Sequence, residues 1–244
     1  MKFGDQLRTS SERHRSRIIL ALDLTGDPQT RAERAAALVE TLGDEVAGVK
    51  LNFHVILPAG LTGTARIARV CSRKKLPLIA DIKLNDIEST NLETTKLLFE
   101  GGFDGVIANP FVGREEGLSK VVSGAKRAGK GTILLVYMSH AGAGEGYGLK
   151  VGREPLYVEF AKRVRDWDAD GAIVSAKSTA IIKRVRAILK PEQLILSPGV
   201  GFQGGDAERA IRAGTDYVIV GRSIIEAPDP LAALEGFNLS IPWP

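Results

Sequence analysis

Short apolar runs alternate with longer amphipathic segments along almost the whole chain. The runs 17–23, 46–51, 76–82, 104–108, 132–138, 171–174, 193–196 and 216–220 are rich in Val, Ile and Leu and read as strands. Between them, apolar residues recur at helical spacing over 30–42, 63–74, 87–100, 115–128, 155–167, 178–189 and 206–213, and a last helix begins at 230–234. Strands that are apolar without alternation fit a parallel sheet covered on both faces. Eight strand–helix units in series predict an α/β fold of the closed (β/α)8 TIM-barrel type. The rival is an open doubly wound sheet, but no G-x-G-x-x-G follows the first strand. No linker or low-complexity stretch interrupts the pattern, so residues 1–244 read as a single barrel domain. The residues before Arg17 are expected to form a helix that closes the barrel floor. Residues 139–153, with Gly142, Gly144, Gly146, Gly148 and Gly152, form the longest irregular stretch and read as a functional loop.

Composition narrows the class. The 244 residues are 44% hydrophobic and 25% charged, as in ordinary soluble globular proteins. No apolar run approaches the roughly 18 residues that span a bilayer. The first 17 residues are polar and lack a signal-peptide core. The single cysteine, Cys71, excludes an intrachain disulfide, offers no zinc cluster and reads as a packed thiol on a helix. A cytoplasmic protein with no membrane association is expected. Net charge is +4, which suits nucleic acid or an anionic small molecule. Lys and Arg are scattered, and aromatics, at 6%, do not interleave with basic residues as base-stacking surfaces require. A phosphorylated metabolite is therefore the expected partner, and nucleic acid is not. The densest basic cluster, Arg13, His14, Arg15 and Arg17, reads as a solvated helix end. His14, His54 and His140 lie far apart and read as satisfied or solvent-facing.

Charge then appears where a barrel has least structural use for it. From Leu76-Pro77-Leu78-Ile79-Ala80 the chain passes directly into Asp81-Ile82-Lys83-Leu84-Asn85-Asp86-Ile87. Side chains two apart on a strand share a face, so Asp81 and Lys83 point the same way, and Asp86 follows just past the strand end. Buried charges are tolerated only when paired, so either this is a solvated strand end with an incidental ion pair or it is a working site. Active sites of this fold lie at the C-terminal strand ends. Those ends read Asp23, Lys50, Asp81 with Lys83, Ser139, Pro198 and Gly221-Arg222. Lys50 either escapes to solvent or sets its ammonium between Asp23 and Asp81. An alternating array Lys50, Asp81, Lys83, Asp86 would pair every charge. After the seventh strand, residues 197–206 carry four glycines in seven residues and read as a mobile loop whose N–H groups approach an anion. Phosphate sites in this fold are built from that loop and the one after the eighth strand, where Arg222 offers a planar fork. The alternative is a tight turn beside a surface arginine.

Taken in order and spacing, six segments resemble the orotidine 5'-monophosphate decarboxylase family, archaeal type, over nearly the whole chain. They are Leu20-Ala21-Leu22-Asp23, Gly48-Val49-Lys50, the segment from Asp81 to Ile87 with Thr90, Met138-Ser139-His140, Pro198-Gly199-Val200-Gly201 with Gln203, and Gly221-Arg222. The resemblance implies decarboxylation of orotidine 5'-monophosphate to UMP, the last step of de novo pyrimidine nucleotide synthesis, without metal or organic cofactor. It implies that Lys50, Asp81, Lys83 and Asp86 form the catalytic charge array, with Lys83 as proton donor to C6. Asp23, Lys50 and Thr90 would hold the ribose hydroxyls, and Ser139 would read the pyrimidine with Pro198 packed near it. Gln203, Gly221 and Arg222 would bind the phosphate. Leu135 and Ile87 are the apolar residues expected around the substrate carboxylate. The family is a homodimer in which the segment bearing Asp86, Ile87 and Thr90 enters the neighbouring site. Ala141 stands where many relatives have Pro, which bears on the loop more than on the chemistry. The alternative within the superfamily is a magnesium-dependent sugar-phosphate decarboxylase or aldolase. That branch carries an acidic residue where Lys50 stands, because magnesium needs oxygen ligands. A non-catalytic phosphate binder or a nucleic-acid binder has no reason to keep four alternating charges at strand ends.

Overall fold

The protein is described here by a computed structural model covering residues 1–243. Its strands are β1 (Ile18–Leu22), β2 (Gly48–Asn52), β3 (Leu78–Leu84), β4 (Gly105–Ala108), β5 (Gly131–Tyr137), β6 (Lys150–Val151), β7 (Glu154–Pro155), β8 (Gly171–Val174), β9 (Leu194–Pro198) and β10 (Tyr217–Val220). Eight of them close into an all-parallel barrel in sequence order, β10 pairing with β1, while β6 and β7 form a separate antiparallel hairpin. The helices are α1 (Phe3–His14), α2 (Arg31–Leu42), α3 (Phe53–Arg73), α4 (Glu88–Glu100), α5 (Ser119–Arg127), α6 (Ala143–Tyr147), α7 (Leu156–Asp166), α8 (Thr179–Arg186), α9 (Ala207–Arg212), α10 (Arg222–Ile225) and α11 (Pro230–Ser240). The architecture is the (β/α)8 TIM barrel that the sequence predicts.

Each barrel strand buries two rows of side chains. Outward residues such as Leu20, Val49, Val106 and Val218 pack against the helices. Inward residues, among them Ile19, Ile79, Ile107, Leu135, Ile173 and Ile219, fill the interior with Phe3 and Leu7 of α1. The N-terminal helix thus closes the floor as expected, and glycine makes that possible. A Cβ added at Gly105 would come within 2.9 Å of the Phe3 ring, and one at Gly131 closer still. The interior is therefore solid at the bottom and open only at the strands' C-terminal ends.

Several boundaries depart from the sequence reading. Helix α3 begins at Phe53 rather than 63 and continues through a kink at Gly60 (φ 59°, ψ 179°), two residues after Pro58. Helix α5 begins at Ser119 rather than 115, because Glu115 and Glu116 are non-helical. Residues 139–153 are not structureless. Helix α6 lies within them, and its Tyr147 packs on Tyr137 and Phe160 with ring centroids 5.7 and 6.2 Å apart.

The basic cluster is only partly solvated. Arg13 and Arg15 are exposed. The two ring nitrogens of His14 each lie 3.1 Å from a carbonyl oxygen, of Asp44 and of Lys74. Arg17 donates to the carbonyls of Asp216 and Thr215. His54 is half-buried, and its Nε2 is buried without a hydrogen-bond partner among the described residues. Cys71 is buried as expected, and burial pushes its thiol up to about 12, so it stays protonated and inert. Among the described residues no helix is long and apolar enough to cross a membrane.

Candidate active site

Inward-facing rows continue past the apolar interior into charge. On β2 the row passes through Gly48 to Lys50 and Asn52, and on β3 through Ile79 to Asp81 and Lys83. Lys50 is 4% exposed and Asp81 7%. The Lys50 Nζ donates to Asp81 Oδ2 at 2.9 Å and to Asp23 Oδ1 at 3.3 Å. The Lys83 Nζ donates to Asp81 Oδ1 at 2.8 Å. Both oxygens of Asp81 are therefore held by ammonium groups, and Lys50 does not escape to solvent. Burial alone would lower the Lys50 pKa, but the Asp81 and Asp23 carboxylates outweigh it and hold the ammonium above the ordinary lysine value. Burial alone would raise Asp81, but Lys50 and Lys83 outweigh it and hold the carboxylate below the ordinary range. Two acidic and two basic side chains, Asp23, Lys50, Asp81 and Lys83, are thus linked in one chain of contacts, their formal charges summing to zero.

The backbone at Lys83 is unusual. The β3–β4 register shifts between Ala80 and Leu84, and Lys83 has φ 46°. This bulge turns the strand end while leaving Asp81 and Lys83 in contact.

Around the charges lies a pocket of about 170 Å³. Asp23, Lys50, Asp81, Lys83, Ser139, Pro198, Gln203, Gly221 and Arg222 all line it, as the sequence reading expects. Its apolar wall is Ile107, Leu135, Ile173 and Ile219, the top of the interior row. Leu135 fits the expectation. Ile107, Ile173 and Ile219 escaped the sequence reading because buried Ile on a barrel strand looks the same whether it faces a helix or a pocket, and Asn52, Met138, Phe202 and Ser223 also line the pocket without having been assigned to it. Lys177 also escaped the sequence reading. Its Nζ donates to the Ser139 carbonyl at 3.3 Å, tying the end of β8 to the loop after β5.

The glycine loop is internally hydrogen-bonded. Residues 201–203 form a 3-10 turn, and the loop bonds to itself from Gly201 N–H to Gly205 O (3.0 Å) and from Gly205 N–H to Gly199 O (2.9 Å). The Gly204 N–H donates to Gly201 O, and the Phe202 N–H to Ser223 Oγ at 2.7 Å. Four N–H groups that could have faced an anion are thus engaged within the protein. Arg222 is exposed, and its side chain makes no hydrogen bond or ion pair among the described residues. Its guanidinium lies over the Phe202 ring, 3.8 Å from the centroid.

Three expected site residues are not in this chain's pocket. Asp86 is exposed and pairs with no cation among the described residues; its carboxylate accepts from the Ile87 N–H at 2.7 Å, and its carbonyl accepts from the Asn91 side-chain amide at 2.5 Å. Ile87 is 65% exposed and Thr90 is exposed on the first turns of α4. Within one chain the array therefore has Lys50, Asp81 and Lys83 but not Asp86, and Ile87 does not join the apolar wall. The bulge at Lys83 ends the inward row, and the chain beyond it leaves the barrel mouth.

The residue order that builds this site has close counterparts. A protein 39% identical to this chain over 216 residues, 88% of the chain and 94% of the relative, is the orotidine 5'-phosphate decarboxylase of Pyrococcus abyssi. The crystal structure of orotidine 5'-phosphate decarboxylase from Pyrococcus horikoshii OT3 superposes with a TM-score of 0.76 at 34% identity, covering 92% of this chain and 98% of that one. The enzyme from Methanocaldococcus jannaschii, solved in complex with the inhibitor BMP, gives a TM-score of 0.80 at 27% identity, covering 93% and 98%. Residues 16–237, which hold every barrel strand and every residue lining the pocket, match the Orotidine 5'-phosphate decarboxylase / HUMPS family, and the chain belongs to that family.

Proposed function

We propose that this chain removes CO2 from C6 of orotidine 5'-monophosphate to give UMP, without metal or organic cofactor, and that Lys83 delivers the proton to C6. Family membership and the decarboxylases it resembles support the reaction and its place in pyrimidine synthesis. The observation that carries the metal-free branch is Lys50. Its ammonium fills the gap between the Asp23 and Asp81 carboxylates, where a sugar-phosphate enzyme of the family would need oxygen ligands for magnesium.

The chemistry follows from the charges. The C6–carboxylate bond breaks, CO2 leaves, and the electron pair remains on C6 with little resonance help. Catalysis then depends on stabilising charge that exists only in the transition state. Lys83, held in place by its 2.8 Å bond to Asp81, would face that charge, give one ammonium proton to C6 and regain it from solvent. Asp81 would lie beside the substrate carboxylate, and the apolar wall of Ile107, Leu135, Ile173 and Ile219 would exclude water as CO2 departs. Asp23 and Lys50 would hold ribose hydroxyls, Ser139 would read the pyrimidine edge and Pro198 would pack beside it. Gln203, Gly221 and Arg222 would take the phosphate, whose binding energy is available to order the reacting end.

The reading includes a homodimer in which Asp86, Ile87 and Thr90 complete the neighbouring site. Two facts support it. The three residues lie outside their own pocket, and one of them, Ile87, leaves an apolar side chain 65% exposed. Loss of such area from water favours association. A cytoplasmic setting belongs to the same reading.

The test is a spectrophotometric assay with orotidine 5'-monophosphate, with and without EDTA. Turnover is expected to be unchanged by EDTA. Activity that vanishes with EDTA and returns with magnesium would overturn the reading and favour the sugar-phosphate branch.

A further inference from the structure

We propose that Phe202 is a positioning residue for the phosphate grip, holding the Arg222 guanidinium by its face so that its in-plane donors are ready for the anion. The inference rests on the assignment of Arg222 to the phosphate.

The geometry is specific. The guanidinium carbon lies 3.8 Å from the Phe202 ring centroid, well inside the range in which a ring quadrupole attracts a cation. A guanidinium's N–H donors lie in its plane and its faces carry none. A ring on one face therefore fixes the group without engaging a donor. An acidic partner would fix it too, but would occupy the donors that an anion needs. Among the described residues Arg222 has no such partner, so the ring is what holds it.

The ring is itself held. The Phe202 N–H donates to Ser223 Oγ at 2.7 Å, so one residue of the first loop is tied to two adjacent residues of the second: to 223 by hydrogen bond and to 222 by stacking. Gly201 permits this approach. Its φ is 69°, and a Cβ there would collide with Ser223 Oγ and come within 3.1 Å of the Phe237 ring. Phe202 is 66% exposed, so its ring is not held by the core. Its neighbour Gln203 lines the same end of the pocket.

An arginine already fixed loses less rotamer freedom on gripping the phosphate, so the stack should appear as affinity for the phosphorylated ligand. The experiment is a double-mutant cycle on the full chain. Phe202→Leu keeps apolar bulk and removes the π face, Phe202→Tyr keeps the face, and each is combined with Arg222→Ala. The readouts are KM and kcat for orotidine 5'-monophosphate, kcat/KM for orotidine, which lacks the phosphate, and the calorimetric Kd of UMP and of inorganic phosphate. Phe202→Leu is expected to raise KM and the UMP Kd about two- to fivefold, the range of exposed cation–π contacts, with kcat little changed. Phe202→Tyr should restore both. With Arg222→Ala already present, Phe202→Leu should add nothing.

The proposal is overturned if Phe202→Leu binds UMP like wild type, if Phe202→Tyr is as weak as Phe202→Leu, if the loss persists beside Arg222→Ala, or if orotidine suffers equally. A wild-type chain that binds UMP but does not decarboxylate orotidine 5'-monophosphate would overturn the proposed reaction, while the binding cycle would still decide Phe202. A wild-type chain that binds neither UMP nor inorganic phosphate would overturn both.

Discussion

Replacing Lys83 by Ala separates catalysis from folding, because Lys83 is the less buried of the two lysines that hold Asp81. Its side chain is 30% exposed, against 5% for Lys50. In the variant Asp81 keeps its 2.9 Å bond to Lys50. The loss is one hydrogen bond between charged groups, worth about 1.5–3 kcal/mol, reduced by solvent screening to roughly 1–2 kcal/mol. For a chain of this size each kcal/mol moves Tm by about 2–4 °C, so Tm should fall by about 2–8 °C with the barrel intact. Lys50→Ala should destabilise more, about 3–5 kcal/mol, because it leaves buried carboxylates without their shared cation. Turnover should respond in the opposite order of magnitude. A proton donor contributes about 10²–10⁴ and an electrostatic stabiliser about 10²–10³, so Lys83→Ala should lose at least about 10⁴ in kcat. At 1.36 kcal/mol per tenfold this is roughly 5 kcal/mol of barrier, well above the stability loss. The assay follows orotidine 5'-monophosphate absorbance, with circular dichroism melting for the fold and calorimetry for UMP binding. A folded variant that binds UMP and turns over within about tenfold of wild type would refute the role given to Lys83.

Arg222→Ala should lower kcat/KM for orotidine 5'-monophosphate while barely changing the slower reaction of orotidine, and equal losses on both would show that Arg222 does not address the phosphate. For site sharing, Asp86→Ala and Lys83→Ala chains should each be nearly inactive, yet regain activity when mixed, since a mixed dimer has one site with both lesions and one with neither. No recovery in a sample shown by mass to hold mixed dimers would assign Asp86 and Lys83 to the same chain's site. Stability should depend on pH through the charge array. Asp81 is held below its ordinary value, so its contribution is complete above about pH 4 and is lost as pH falls through the lowered native value. Lys50 is held above its ordinary value, so its contribution is complete below about pH 10 and is lost as pH rises through the raised one. Asp81→Asn should therefore flatten the acid limb of the urea midpoint, and an unchanged limb would count against the array.

How far the sequence carried depended on whether a signal was local. Runs such as 171–174 announce a strand because four small or apolar residues fit nowhere else in the pattern, and β8 begins and ends there. Asp81 and Lys83 could be placed on one side by the period of a strand, and they touch despite the bulge. The helix expected over 63–74, in contrast, begins at Phe53, with Pro58 and the kink at Gly60 inside it, and core contacts of Val55 and Ile56 hold its first turns in place. The five glycines of 139–153 masked α6, whose Tyr147 is held by rings from β5 and α7 rather than by helical periodicity. The stack of Phe202 on Arg222 was beyond reach for the same reason. It joins two loops twenty residues apart, and nothing near either residue encodes the distance.

The left-handed turn at Lys83 has a consequence for what selection can do at this position. A non-glycine residue at φ 46° is held against its own preference, at a cost of about 1–3 kcal/mol. Glycine would relax it, offsetting the roughly 1–2 kcal/mol lost with the bond to Asp81, so selection for stability gives little protection to the lysine. A lysine here therefore marks a position kept by activity rather than by stability. Relaxed selection, as in a duplicated copy freed from its metabolic task, should replace Lys83 early, and Lys83→Gly should be a more stable dead protein than Lys83→Ala.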